Sequence, residues 1–197
     1  MSIFVKICGL STAEQVDAAV SAGADAVGFV FAKSIRRVSP ATAAQLAAAV
    51  PADVKKIAVM LHATDEELQS VLREFKPDVL QIDASDLLHL NVPDDIEQWP
   101  VFREGDSPAA TDKIYIYEGK KSGSGETVDW VTAAEVAQRG NMMLAGGLAA
   151  NNIAEAIATV TPFGIDVSSA VESAPGIKDA QLIKEFINAA RAAEAHL

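Results

Sequence analysis

The stretch Ile3–Phe31, IFVKICGLSTAEQVDAAVSAGADAVGFVF, decides how the rest of the chain is read. It opens on a strand-like run at Ile3–Cys8, passes through a helical pattern over Thr12–Ala22, and returns to a β-branched and aromatic run at Ala26–Phe31. Two strands joined by a helix form a βαβ unit, and the crossover makes the strands parallel. The same alternation continues outward. Pro40–Val50 reads as the next helix, Lys56–Leu61 and Asp65–Phe75 repeat the pair, and Val79–Asp83 is a fourth strand. Further strands are expected at Val101–Arg103, Lys113–Tyr117, Met142–Ala145 and Ile165–Val167. Helices are expected at Val131–Gln138, Ala150–Thr159 and Ala180–Ala193.

Eight strand signals alternating with helices imply an α/β fold, and eight units can close into a (β/α)8 TIM barrel with no exposed sheet edge. Strand counting alone leaves a doubly wound open sheet as the alternative. Half of the 197 residues are apolar, enough for one large core and too few for two comfortable ones. No linker, internal repeat or low-complexity segment divides the chain, so residues 1–197 are expected to form a single domain. The middle is compressed. Between Asp83 and Val101 there is room only for a short helix near Asp86–Leu90, and EGDSPAATD (104–112) is too short for a crossover helix. The fourth and fifth helices are therefore expected to be abbreviated.

Charge narrows the partners. With 27 acidic and 16 basic residues the chain carries a formal −11. It would repel a phosphodiester backbone or an anionic membrane, while a small anion can still be bound by a local field. Cys8 is the only cysteine, so no intrachain disulfide is possible. The N-terminus lacks the pattern of a signal peptide, and no stretch of roughly 18 apolar residues suggests a membrane span. A cytoplasmic location is the resulting expectation.

Barrels carry function at the C-terminal ends of their strands. Four sets of such ends hold unusual residues. In Lys6-Ile7-Cys8-Gly9 period-two alternation points Lys6 and Cys8 to one face, and a thiol there can act as a base if positive charge lowers its pKa. A small buried core cysteine is the plainer reading. After the second strand, Lys33, Arg36 and Arg37 offer cations for a carboxylate or phosphate, before a Ser39-Pro40 helix start. The Gly-rich segment Gly123–Trp130 ends in Asp129 beside Trp130, which suits a general acid shielded by an aromatic, or an ordinary helix cap. Gly146-Gly147 and Asp166-Val167-Ser168-Ser169 follow the seventh and eighth strand signals, where backbone N–H groups and a short helix start can hold phosphate. The alternation that turns Cys8 and Ser168 inward also places Lys6 and Asp166 inward one layer deeper. Being costly to bury alone, these two are expected to pair, with Lys6 favouring the Cys8 thiolate.

KICGL, GADAVGFVF, the S-x-R…SP loop, GSGxTxDW, LAGGL, GIDVSSAVES and PGIKD occur in this order over residues 5–179. The ordered set resembles the phosphoribosylanthranilate isomerase family of tryptophan biosynthesis. That resemblance implies an Amadori rearrangement of an aminoaldose phosphate to an aminoketose phosphate, without metal or redox cofactor. It implies Cys8 as general base and Asp129 as general acid, with Arg36 facing the anthranilate carboxylate. It places Gly146, Gly147, Ser168 and Ser169 at the phosphate, with Asp166 among the substrate-binding residues. A monomer or homodimer acting on a small anionic sugar phosphate is expected. Departures stand beside the match. Gln81-Ile82-Asp83-Ala84 replaces the usual Q-L-H-G, so Asp83 stands where the family has His, and Glu126 replaces a common Lys. Two other readings stay open: a related histidine-pathway or dual-substrate aminoaldose isomerase, and a non-catalytic phosphate-binding barrel.

Overall fold

A computed structural model of the chain describes residues 2–120 and 127–194. Eight parallel strands close into a barrel in sequence order: β1 (Phe4–Cys8), β2 (Ala26–Val30), β3 (Lys55–Val59), β4 (Val79–Asp83), β5 (Glu97–Arg103), β6 (Ile114–Glu118), β7 (Asn141–Ala145) and β8 (Gly164–Val167). Closure, not an open sheet, is the observed topology. The seam is the β1–β8 pair, in register with Phe4 opposite Gly164 and Lys6 opposite Asp166.

Among the described residues six α-helices surround it: α1 (Ala13–Ser21), α2 (Pro40–Leu46), α3 (Asp65–Glu74), α4 (Trp130–Ala137), α5 (Ile153–Val160) and α6 (Ala180–Glu194). Their starts are written locally. Thr12 and Ser39 cap α1 and α2, and Thr64 with Glu67 closes a reciprocal capping box on α3. As the short connections imply, only one 3-10 turn (Asp86–Leu88) lies between β4 and β5, and no helix lies between β5 and β6. Strand β5 begins four residues before the expected Val101 and includes Pro100. A hairpin of β9 (Glu172–Ala174) and β10 (Ile177–Lys178) after β8 was not expected from the sequence.

The barrel interior is filled unevenly. Ala26, Ile57, Val79, Trp99, Val101, Ile116, Met143 and Ala145 form its apolar cluster. Trp99 is fully buried, its indole N–H donating to Glu97 Oε1 at 2.7 Å and its ring meeting Phe4 edge-on at 5.9 Å. A Cβ on Gly164 would lie 2.3 Å from Met143 Sδ and 2.6 Å from Phe4 O, so side-chain-free backbone is needed there. Outside, Arg191 of α6 donates to the carbonyls of Ile3 and Gly23 and pairs with Asp25 at 2.7 Å, fastening the last helix across the first βαβ unit. Among the described residues no helix is long and apolar enough to cross a membrane.

Candidate active site

A pocket opens at the C-terminal end of the barrel. Cys8, Arg36, Gly146, Gly147, Asp166, Ser168 and Ser169 all line it. Cys8 and Asp166 lie on the inward face of β1 and β8, while Arg36, Gly146, Gly147, Ser168 and Ser169 come from the loops that follow β2, β7 and β8.

Two glycines shape the rim. Gly9 has φ +81°, and a Cβ on it would lie 2.6 Å from Arg36 Cδ and 3.2 Å from Ser168 Oγ. Its bare backbone turns the chain away from the mouth and lets Arg36 and Ser168 close over β1. Gly147 has φ +63°, and its Cβ would collide with Thr127 N at 2.5 Å. Asn152 holds that loop, accepting from Ala149 N at 2.8 Å and donating to Gly147 O at 2.9 Å. The helix expected after β8 is a single 3-10 turn, Ser169–Val171, so its dipole adds little and any anion there depends on individual N–H groups.

Lys6 and Asp166 pair at 2.9 Å, with the Lys6 side chain wholly buried. Cys8 lies two residues further along the same strand face and also favours the charged form of Lys6. Burial would push the Lys6 ammonium down, but Asp166 and Cys8 together hold its pKa above the ordinary lysine value. For Cys8 the balance runs the other way. Burial pushes the thiol up, Asp166 adds to the push, and the opposing pull of Lys6 does not overcome them. The sequence-based expectation of a thiolate favoured by Lys6 is therefore half met: Lys6 acts in the expected sense, and the net shift is upward.

Arg36 is already engaged. Its Nε and Nη2 donate to the two oxygens of Glu172 at 2.6 and 2.9 Å. Lys178, its ammonium buried, donates to Glu172 Oε1 at 2.6 Å and to Ser168 O and Oγ at 3.0 and 3.1 Å. Burial alone would raise the Glu172 carboxyl, yet Arg36, Lys178 and the Gly176 N–H hold it at about 2. Burial lowers Lys178 despite Glu172. Neither Glu172 nor Lys178 was assigned a role from sequence, although both fall inside the quoted motifs.

Asp129 stands apart. It is exposed, does not line the pocket, and caps α4, accepting from Val131 N, Thr132 N and, at 2.5 Å, Thr132 Oγ1. The Thr132 hydroxyl and the two N–H groups lower its pKa. The expected aromatic shielding is not observed for this exposed carboxylate. The preceding Gly123–Glu126 segment, with the Glu126 replacement, lies outside the described residues.

Across the mouth stands a cluster that sequence reading missed. Arg103 of β5 donates through Nη2 and Nε to Asp83 of β4 at 2.7 and 3.3 Å, and through Nη1 to Glu118 of β6 at 2.6 Å. All three line the pocket. A charged residue at the inward end of three successive strands was the available signal. Asp83, standing where the family has His, thus has a partner in this chain. Among the described residues no group of three or more His, Cys, Asp or Glu is arranged to hold a metal.

Fold and pocket define a class: a (β/α)8 barrel with a pocket at the C-terminal ends of its strands and an inward thiol in its lining. The family model described as N-(5'-phosphoribosyl)anthranilate (PRA) isomerase matches residues 5–189. A Streptococcus pneumoniae N-(5'-phosphoribosyl)anthranilate isomerase is 40% identical over 186 residues, covering 93% of each chain. The crystal structure of TrpF from Jonesia denitrificans superposes with a TM-score of 0.81 at 32% identity, covering 98% of both chains. A phosphoribosyl anthranilate isomerase in complex with reduced 1-(o-carboxyphenylamino)-1-deoxyribulose 5-phosphate superposes at 0.80 with 28% identity, over 96% of this chain and 99% of that one. The chain belongs to the phosphoribosylanthranilate isomerase family.

Proposed function

We propose that this protein converts N-(5'-phosphoribosyl)anthranilate to 1-(2-carboxyphenylamino)-1-deoxyribulose 5-phosphate, the Amadori step of tryptophan biosynthesis, in the cytoplasm. The observation that carries this reading is the convergence of seven motif residues on one pocket of a chain in this family.

In this reading phosphate rests on the loops of Gly146, Gly147, Ser168 and Ser169. The anthranilate carboxylate meets Arg36, whose Nε–Nη2 edge is held by Glu172, so that its Nη1 side faces the ligand with a fixed tilt. Ring opening needs a proton on the ribose oxygen, which Asp129 supplies. Its carboxylate must first leave the α4 cap and take up a proton, since three hydrogen bonds favour its ionised form. Cys8 then removes the proton at sugar C2, and the enolamine tautomerises to the ketone. One proton is added and one removed, so the reaction is redox-neutral overall. Lys6 offsets part of the cost of forming the thiolate, and Asp166 holds Lys6 in place.

Loss of phosphoribosylanthranilate fluorescence on adding purified protein tests the reading. Consumption by the wild type and its near-abolition in Cys8→Ser are expected, because a hydroxyl is a far weaker base than a thiolate. A wild type that consumes no substrate overturns the reading.

A further inference from the structure

We propose that Lys178 is a positioning residue that ties the phosphate loop at Ser168 to the carboxylate-facing Arg36, and so fixes the spacing between the two anion sites of the pocket. The inference rests on the isomerase reading for what occupies the two sites, and on the hydrogen-bond geometry for the tie itself. Lys178 lies on β10 with its side chain wholly buried, and it does not line the pocket. A buried ammonium needs an acceptor for each of its three protons. Lys178 has them: Glu172 Oε1 at 2.6 Å, Ser168 O at 3.0 Å and Ser168 Oγ at 3.1 Å. No proton is left over for a ligand, so this cation acts through the groups that it holds.

Each of those groups leads to one end of the pocket. The Ser168 hydroxyl accepts from Lys178 and donates to Cys8 O at 3.1 Å, so its single proton is spent on the end of β1. An anion at this loop is therefore left with backbone N–H groups. The Ser168 carbonyl and the Ser169 N–H belong to one planar trans peptide and point in opposite directions. By gripping the carbonyl from behind, Lys178 fixes where the Ser169 N–H is aimed. Glu172 leads to the other end. Its two oxygens accept from Arg36 Nε and Nη2 at 2.6 and 2.9 Å, from Lys178, and from the Gly176 N–H at 3.0 Å, which fills their four lone-pair sites. Arg36, Ser168 and Ser169 line the pocket, while Glu172 and Lys178 stand behind them. One buried ammonium thus joins the loop after β8 to the loop after β2, across the intervening β1.

The test is a double-mutant cycle read by binding. Calorimetry measures the affinity for inorganic phosphate and for reduced 1-(o-carboxyphenylamino)-1-deoxyribulose 5-phosphate, which carries both anionic ends. The proteins are the wild type, Lys178→Met, Arg36→Met and the double variant. Lys178→Met should weaken both ligands by roughly tenfold, the loss expected for one misaligned hydrogen bond. In the Arg36→Met background the same change should cost the two-ended ligand clearly less, because the branch through Glu172 is already gone. Sites without such a link combine to within about twofold of the product of their single effects. A lysine that only supports the fold gives that additivity, or leaves phosphate affinity unchanged, and either result overturns the tie. Should Lys178→Met fail to fold, Lys178→Met/Glu172→Gln removes both buried charges and takes its place: weakened phosphate binding is expected, and wild-type phosphate affinity overturns the tie. Additive losses in a protein that turns over phosphoribosylanthranilate refute only the tie. Non-additive losses without turnover refute only the isomerase reading, and a wild type that binds neither ligand overturns both.

Discussion

Lys6, Cys8 and Gly28 meet at one point on the inner wall, and the spacing there is tight. A Cβ on Gly28 would lie 3.1 Å from the Cys8 sulfur and 3.2 Å from Lys6 Cε and Nζ. The absent side chain is what admits both groups. Their proximity sets a pH dependence with a defined sign. Burial holds the Cys8 thiol above its ordinary pKa and Lys6 pulls it down, so activity that needs a thiolate should rise with pH through a thiol ionisation. Lys6→Met removes the downward pull, so the kinetic pKa and the pH profile of Cys8 alkylation should both move up. An unchanged profile would separate Lys6 from the thiol. Removing Lys6 alone also leaves Asp166 buried without its cation, at a cost of about 3–5 kcal/mol, so Lys6→Met/Asp166→Asn is the companion that keeps the fold. The pair itself was legible from strand alternation. The direction of the thiol shift was not, because desolvation depends on how completely the barrel closes over position 8.

At the scale of elements, two short pieces do disproportionate work. The β9–β10 hairpin carries Glu172 and Lys178 to Arg36, joining the chain after β8 to the loop after β2. The Glu172 carboxyl is lowered from 4.5 to about 2, so its contribution is full above the ordinary glutamate pKa and is lost as pH falls through the folded value. This amounts to on the order of 3 kcal/mol, and urea melts between pH 7 and 2 should show it. Glu172→Gln should be less stable at pH 7 and lose less stability than the wild type between pH 4.5 and 2; an unchanged wild-type slope in the variant would refute the assignment. The α4 cap allows a cleaner separation of chemistry from folding. Asn caps helices as well as Asp, so Asp129→Asn should keep stability and lose turnover, whereas Asp129→Ala should also lose about 1 kcal/mol in the same melts. Near-native turnover in Asp129→Asn would remove it as the acid. The helices were legible through their caps and apolar spacing. The hairpin was not, since strands of three and two residues leave no periodicity to read.

Over the whole molecule, the barrel is unevenly clothed. The eight parallel units were readable because buried parallel strands are short apolar runs separated by amphipathic helices. The missing helix after β5 was readable from a connection too short to hold one. What the sequence did not disclose is the charged arc of Asp83, Arg103 and Glu118, since an inward strand end shows its partners only once the registers of β4, β5 and β6 are set. The same arc predicts where the fold opens first. On β1, β7 and β8 the outward residues Val5, Ile7, Met142, Leu144, Ile165 and Val167 are buried beneath helices, at 3% exposure or less. On β5 the outward residues Gln98, Pro100 and Phe102 are all half-exposed, no helix follows the strand, and Pro100 has no N–H to give to the ladder. Amide exchange from such a strand should proceed through local opening at a lower free energy than global unfolding, while β1, β7 and β8 exchange only when the whole barrel unfolds. Native-state hydrogen exchange at increasing denaturant distinguishes the two. The β5 amides should exchange with little denaturant dependence and merge with the others only near the unfolding transition. Equal protection of β5 and β7 in the absence of denaturant would show that strand pairing alone, with Trp99 packed beneath it, makes this arc as secure as the helix-covered side.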